Sequence, residues 1–364
     1  MGNARPPDKH PAFLVRTAAP FNGGPPPDLQ IRNAITPTPL FFVRNHGAVP
    51  IIDPTAYRLH VGGRVARPLE LTLDDLRALP QHTVVAALQC AGNRRQEMLR
   101  LGDIPGEVPW HLEAVGNAVW RGPALADLLW LAGAATDGGP EPGHVALTGL
   151  DEVKRRGAVF GFGGSIPLTK ALGPEVILAL EMNGEPLPPA HGAPLRLVVP
   201  GVIGARSVKW LGEIVVQDEP STNYFQAVAY RLQPPDAAGG EPGEMLGDVF
   251  VTAAICDPPD GARLPAGPVV VQGYALGGGG RAVSRVELSG DDGRTWTTAS
   301  LLGESRPWAW QLWQGMLELP AGPRTLVARA FDAAGGGQPA AVAQTWNAKG
   351  YMNNAWHWVA VEIV

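Results

Sequence analysis

The sequence predicts two domains, an α+β domain followed by an all-β sandwich, behind an extended N-terminal arm. Three observations lead there. A chain of 364 residues is too long for one ordinary core and suits two. Residues 41–218 mix short apolar strands with helical patches, without the βα alternation of a doubly wound sheet. After a Pro/Gly/acidic stretch, PPDAAGGEPGEMLG at 234–247, the texture changes to short strands split by turn signals. The expected boundaries are 1–40 for the arm, 41–240 for the first domain and 241–364 for the second.

The elements follow in order. Residues 1–40 are rich in proline and polar residues and read as an arm lying over the surface. Leu71–Leu79 has helical spacing after a Thr72/Asp74 start and is stopped by Pro80. Ala124–Leu131 is a second short helix. Val84–Leu88, Val145–Leu147, Leu195–Val199 and Ile214–Val216 read as strands. In the second domain, strands are expected at Val269–Tyr274, Val283–Leu288, Thr295–Ala299, Trp308–Leu312 and Thr325–Ala330. Period-2 alternation is visible in VSRVELS and TLVARAF. Seven of the eleven tryptophans lie after residue 290, as core of a small domain or as contacts with a partner subunit.

Composition narrows the function classes. Apolar residues make up 45% and charged residues 17%, which suits a packed globular protein. A formal charge of −5 argues against a nucleic-acid surface, so any anion site is a local cation cluster inside a cleft. No apolar run reaches the roughly 18 residues that span a bilayer. The N-terminus has neither the apolar core of a signal peptide nor a twin-arginine pair. The chain as it stands is therefore expected in the cytoplasm, or in the periplasm if a signal segment has been removed. Two cysteines, Cys90 and Cys256, exclude a disulfide framework, and neither begins a C-x-x-C-H haem site.

Four motifs carry chemistry. Arg44, Asn45 and His46 in FFVRNH offer a planar fork and neighbouring donors for an anion, or form an exposed loop. Cys90 in LQCAGNRR stands at a strand end, with Gly92 permitting a tight turn and Arg94 and Arg95 raising the local potential toward thiolate. A thiolate is the soft ligand that a sulfur-loving metal selects, although a free cysteine is also simply a small hydrophobe. In HGAPLR and GARSVKW, glycines allow close backbone approach, and His191, Arg196, Ser207 and Lys209 are donors for a phosphate. WNAKGYMNNAWH, read alone, is a last sandwich strand and its turn.

The joint order of these motifs closely resembles the sulfite oxidase family of mononuclear molybdenum enzymes. The resemblance runs from FFVRNHGAVP through LQCAGNRR, VWRG, GGSIPL, MNGEPLPPAHGAPLRLVVPG and GARSVKWL to WNAKGYMNNAWH, covering roughly residues 40–360. It implies a sulfite oxidase-like molybdopterin-binding fold followed by an immunoglobulin-like dimerisation domain, and hence a two-fold homodimer. It implies molybdenum held by Cys90 and by the dithiolene of a pterin. The pterin and its phosphate would be bound by Arg44, Asn45, His46, Asp151, His191, Arg196, Ser207, Val208 and Lys209. Arg44, Arg95, Trp110, Tyr230 and Lys349 would form the substrate pocket with Cys90, Trp110 narrowing it. The implied reaction is oxidation of sulfite to sulfate, with electrons passed to an external cytochrome or to oxygen, since no haem domain precedes residue 40.

Three departures from the family pattern stand out. Lys349 replaces an arginine, keeping charge but losing the bidentate fork; Ala229 precedes Tyr230 in place of an acid; Trp358 follows His357 where a cation is common. Nitrate reduction on the same fold is the alternative activity. A cofactor-free binding or structural relative is the alternative outside enzymes.

Overall fold

A computed structural model describes residues 8–134, 143–233 and 243–364. The first domain is built on two sheets. A five-stranded mixed sheet has the order Gly163–Pro167, His144–Gly149, Leu211–Gln217, Leu59–Gly63 and Leu69–Leu71. Its only parallel pair joins Leu211–Gln217 to Leu59–Gly63. A four-stranded antiparallel sheet centres on Val115–Gly122, paired with His82–Gln89. Helices are short. Leu73–Ala78 starts at Thr72, whose side chain forms a capping box with Asp75, and Leu125–Ala132 ends on the left-handed Gly133.

The Pro-rich arm is not laid over the surface as its composition suggests. Leu14–Ala18 and Phe21–Gly24 form a hairpin, and Gly23 bridges to Val43. Beyond the hairpin, the Gln30 amide donates to the Val115 carbonyl at 2.8 Å and the Thr36 N–H to the Asn117 carbonyl at 2.7 Å. Lys9, Asn22, Gln30 and Thr36 are all buried. Buried polar groups must find partners. Gln30 and Thr36 find theirs on a strand about 80 residues away in the chain, Asn22 on its own hairpin and on Arg44 and Asn45, and Lys9 on the Thr38 and Phe41 carbonyls and His191.

The second domain is a pair of facing sheets. One contains Thr252–Asp257, Gly267–Leu276, Gln311–Leu319 and Ser300–Leu302; the other contains Ala262–Leu264, His357–Ile363, Gly322–Asp332, Val283–Ser289 and Thr297–Thr298. Both contribute to one core, including Val271, Trp313, Val286, Leu326, Ala328 and Val359. Strand His357–Ile363 alternates strictly between buried and exposed positions, as a strand covered on one face should. Two expected strands are displaced. Trp308 sits at φ +68°, so the strand begins at Gln311. Asp291 captures the backbone of Arg294 and Thr295 in a turn, leaving only Thr297–Thr298 extended. Most of the stretch read as a linker, 234–242, lies outside the described residues. Of the late tryptophans, Trp310 and Trp313 are buried, whereas Trp296, Trp356 and Trp358 gather in one half-exposed cluster with the Arg329 guanidinium over Trp296.

Arg94 joins the two domains. It is fully buried, pairs with Glu97 at 2.7 Å, and donates to the Ala253 and Ala355 carbonyls of the second domain. Removing one member of a buried pair leaves an uncompensated charge, at a cost of about 3–5 kcal/mol. Arg94→Ala is therefore expected to lower the stability by about that amount in denaturant unfolding, and Arg94→Lys to recover only part of it. An Arg94→Ala loss below about 1 kcal/mol would show that the arginine does not hold this seam.

Candidate cofactor and substrate site

A cleft of about 720 Å³, counting its solvent-open mouth, lies between the Phe41–His46 segment, the Cys90 turn and the His191–Trp210 segment. Its lining includes Arg44, Asn45, His46, Cys90, Asp151, His191, Arg196, Ser207, Lys209 and Tyr230. Motifs separated by up to 186 positions in the sequence thus converge on one space.

Cys90 enters at the end of strand His82–Gln89. Its N–H bonds the Ala114 carbonyl at 2.9 Å, and its Sγ accepts from the Gly92 N–H at 3.4 Å. Gly92 leaves room for the Arg95 guanidinium, which lies 2.4 Å from where a Cβ would stand and would have to move for any larger residue. Gly192 plays the matching part across the cleft. Its φ of +111° suits glycine, and a Cβ would crowd Arg196 and Lys209 at 3.0 and 3.1 Å.

The donors are set by their surroundings. Arg44 donates to the Asn22 side chain and to His46 Nδ1, at 3.2 and 3.3 Å. A guanidinium has no acceptor, so His46 Nδ1 accepts and its Nε2–H donates to the Tyr230 hydroxyl at 2.9 Å. The Tyr230 proton is then free to be donated to a ligand. Ser207 Oγ accepts from the Val199 N–H at 3.0 Å, which leaves its hydrogen free in the same way. Arg196 reaches the His191 and Ser207 carbonyls and stacks on Trp120; Lys209 donates to Asn45 Oδ1 and to the Ala190 carbonyl.

The charge balance of this cleft is one-sided. Arg44, Arg196 and Lys209 line it, and Asp151 is the one acid among its lining residues. Burial pulls Lys209 well below its ordinary value, with repulsion from Arg196 adding to it, and brings Arg196 down to about 9. Burial and neighbouring cations keep His46 and His191 neutral, and burial raises Asp151. The hydrogen-bond partners of Arg44, Arg196 and Lys209 are carbonyl oxygens and the His46 ring nitrogen, none of them a carboxylate. A phosphate-bearing anion would supply the missing negative charge with bidentate geometry. Among the described residues, no three His, Cys, Asp or Glu side chains converge on a metal. A metal at the Cys90 sulfur would therefore have to bring further ligands of its own, as one held by a dithiolene does. The residues present fit such a group.

Five expected residues are placed differently. Val208 is core and reaches its neighbours through its carbonyl. Trp110 is fully buried, edge-on to Phe42, and does not line the cleft. Arg94 and Arg95 do not project toward Cys90 as a pair: Arg94 clamps the domains, while Arg95 donates to the Val108 and Lys349 carbonyls and packs over Tyr351. The Lys349 ammonium is partly exposed and pairs with Glu107 at 3.3 Å, the carboxylate that also faces Arg95 at 3.6 Å. The WNAKGYMNN segment is not a strand. It folds back on the Cys90 turn, the Met352 N–H bonding the Ala91 carbonyl at 2.7 Å. Sequence reasoning missed Tyr351, stacked on Tyr230 at 5.3 Å. It also missed Asn22, whose Oδ1 accepts from Arg44 and from the Asn45 N–H.

Residues 46–225 match the oxidoreductase molybdopterin-binding domain, and residues 244–364 match the Mo-co oxidoreductase dimerisation domain. Mitochondrial sulfite oxidase of Mus musculus is 43% identical over 98% of this chain and 67% of its own length. The chain belongs to the sulfite oxidase family of molybdenum-cofactor oxidoreductases. Sulfite oxidase of Arabidopsis thaliana is 39% identical over 98% of this chain and 95% of its own. The crystal structure of the sulfane dehydrogenase SoxCD from Paracoccus pantotrophus matches with a TM-score of 0.80 and 28% identity, covering 96% of this chain and 89% of that one. The family's molybdenum cofactor is the kind of phosphate-bearing anion that the cleft's cations fit.

The one-sided charge has a measurable consequence. Lys9, packed against His191, is held at about 8 by burial, against an ordinary 10.5. Between those values the unfolded chain carries more protons than the folded one, so stability rises with pH. Cofactor-free protein is expected to gain about 1–2 kcal/mol between about pH 8 and 9, read from denaturant midpoints. With the cofactor bound, its negative charge restores the cations and the gain should vanish. Equal slopes with and without cofactor would contradict this reading.

Proposed function

We propose that this protein oxidises sulfite to sulfate, taking the added oxygen from water and releasing two protons and two electrons that pass to an external acceptor. The observation that carries the proposal is the meeting, in one cleft, of the Cys90 sulfur with Arg44, Tyr230 and an excess of buried cations. The family membership supports it. When bound, the cofactor supplies the oxygen-atom and two-electron chemistry.

The chain's own residues do the rest. Cys90 would ligate the metal, a role for which a strand-end sulfur held at fixed backbone position is suited. His191, Arg196, Ser207 and Lys209 would hold the phosphate, and Asn45 and Asp151 offer polar groups for the pterin. Arg44 attracts the sulfite anion, strengthened by the low dielectric of a site walled by Phe42 and Phe162. Tyr230, oriented through His46, donates its proton to an oxygen in the cleft. Arg95 acts from behind Tyr351 by its positive field, and Glu107 leaves Lys349 little net charge to offer. Trp110 supports Phe42 from the core and does not touch substrate. The second domain joins two copies in a homodimer, in line with its matched family.

The test is a molybdenum determination on protein from a cofactor-making host, followed by paired assays. Sulfite with ferricyanide is expected to turn over, and nitrate with reduced viologen is not. Cys90→Ser should abolish sulfite turnover with thermal unfolding unchanged, because a hydroxyl is a poor ligand for a soft site. Nitrate turnover without sulfite turnover, or normal turnover by Cys90→Ser, would defeat the proposal.

A further inference from the structure

Lys9 is the one ammonium that the N-terminal arm sends into the interior beside the cofactor cleft. It is 2% exposed. It donates to the Thr38 carbonyl at 2.9 Å and the Phe41 carbonyl at 3.1 Å, and lies 2.6 Å from His191 Nε2. Its chain neighbours are held too: the His10 N–H bonds the Pro39 carbonyl, and Lys9 lies over the Phe13 ring. None of these partners is a carboxylate. A buried ammonium so placed is costly unless it does something for its neighbours, and the neighbour it meets is a residue that lines the cleft.

An ammonium has three donors and no acceptor. His191 Nε2 must therefore accept from Lys9, which places the ring proton on Nδ1. His191 is kept neutral by burial and by Lys9, Lys209 and Arg196, so it offers one N–H only. The Thr38 carbonyl, which also accepts from Lys9, stands beside the ring as the alternative acceptor, and the direction of the N–H depends on which nitrogen Lys9 occupies. Phe41 packs edge-on against the ring at 5.4 Å and limits its rotation. Lys9 itself, held at about 8, remains an ammonium at neutral pH.

We propose that Lys9 is a positioning residue of the cofactor site: it fixes His191 as the Nδ1–H tautomer, so that the ring donates into the cleft, and thereby makes retention of the anionic cofactor depend on docking of the N-terminal arm. This rests on the assignment of the cleft to the cofactor phosphate, but its first readout does not. Outer partners that orient a ring donor are typically worth about 10–100-fold in affinity at metal sites, and a similar scale is expected here.

The experiment uses the full-length protein with 15N-labelled histidine, the His191 signals being assigned by their loss in His191→Gln. Wild type is expected to show a protonated Nδ1 and an unprotonated Nε2 at His191, with or without cofactor; a protonated Nε2 overturns the proposal even if no variant folds. Lys9→Met should then yield a mixed or reversed tautomer and release molybdenum about tenfold faster in a dilution time course. Lys9→Arg should restore both, since a guanidinium also only donates. Unchanged tautomer and release in Lys9→Met would likewise overturn it. A wild-type protein that never takes up molybdenum would instead defeat the proposed function, and the tautomer measurement would still decide the role of Lys9.

Discussion

Everything in the first domain is arranged around cations buried without matching carboxylates. Arg44, Arg196 and Lys209 line one cleft, Lys9 stands behind it, and Asp151 is the single acid among the lining residues. Isolated charges are expensive to bury, and carbonyl dipoles lower that cost without removing it. The fold holds them because glycines let the backbone come close, because aromatic rings of Trp120 and Trp210 cover two of them, and because two neutral histidines add donors without adding charge. Such a cleft is built for an anion, and Cys90 places one soft ligand at its wall.

The second domain contributes more than a separate core. Its last loop closes on the Cys90 turn through Met352, and Asn353 donates to the Arg94 carbonyl at 3.0 Å. Tyr351 on that loop stacks on Tyr230 and lies under Arg95. The position of the candidate proton donor is therefore shared between the domains. The arginine pair of CAGNRR serves this joint, Arg94 by hydrogen bonds and Arg95 through the tyrosines.

Local signals in the sequence survived folding where one partner sufficed. The Thr72 cap and the strand leading into Cys90 are of this kind, whereas the alternation read in Val283–Ser289 is broken by a register shift between Val283 and Arg285. The cofactor donors were legible only through a family resemblance, since His191 and Arg44 are 147 positions apart in the sequence and no spacing links them. What stayed hidden depended on distant partners. The arm looked like surface because prolines and polar residues dominate it, yet its Gln30 and Thr36 are met by the strand Val115–Gly122. That strand itself lacks alternation because nearly every one of its residues is buried. Arg95 and Lys349 looked like free cations, and Glu107, which carries no motif, faces both.

The claim that the cleft awaits an anion can be tested without catalysis. Cofactor-free protein is unfolded thermally at neutral pH in pyrophosphate and in chloride at equal ionic strength. A ligand that binds only the folded state stabilises it in proportion to the logarithm of its concentration. The account requires a rise in Tm with pyrophosphate that chloride does not give and that Lys209→Met and Arg196→Met diminish. Equal melting in the two salts would contradict it.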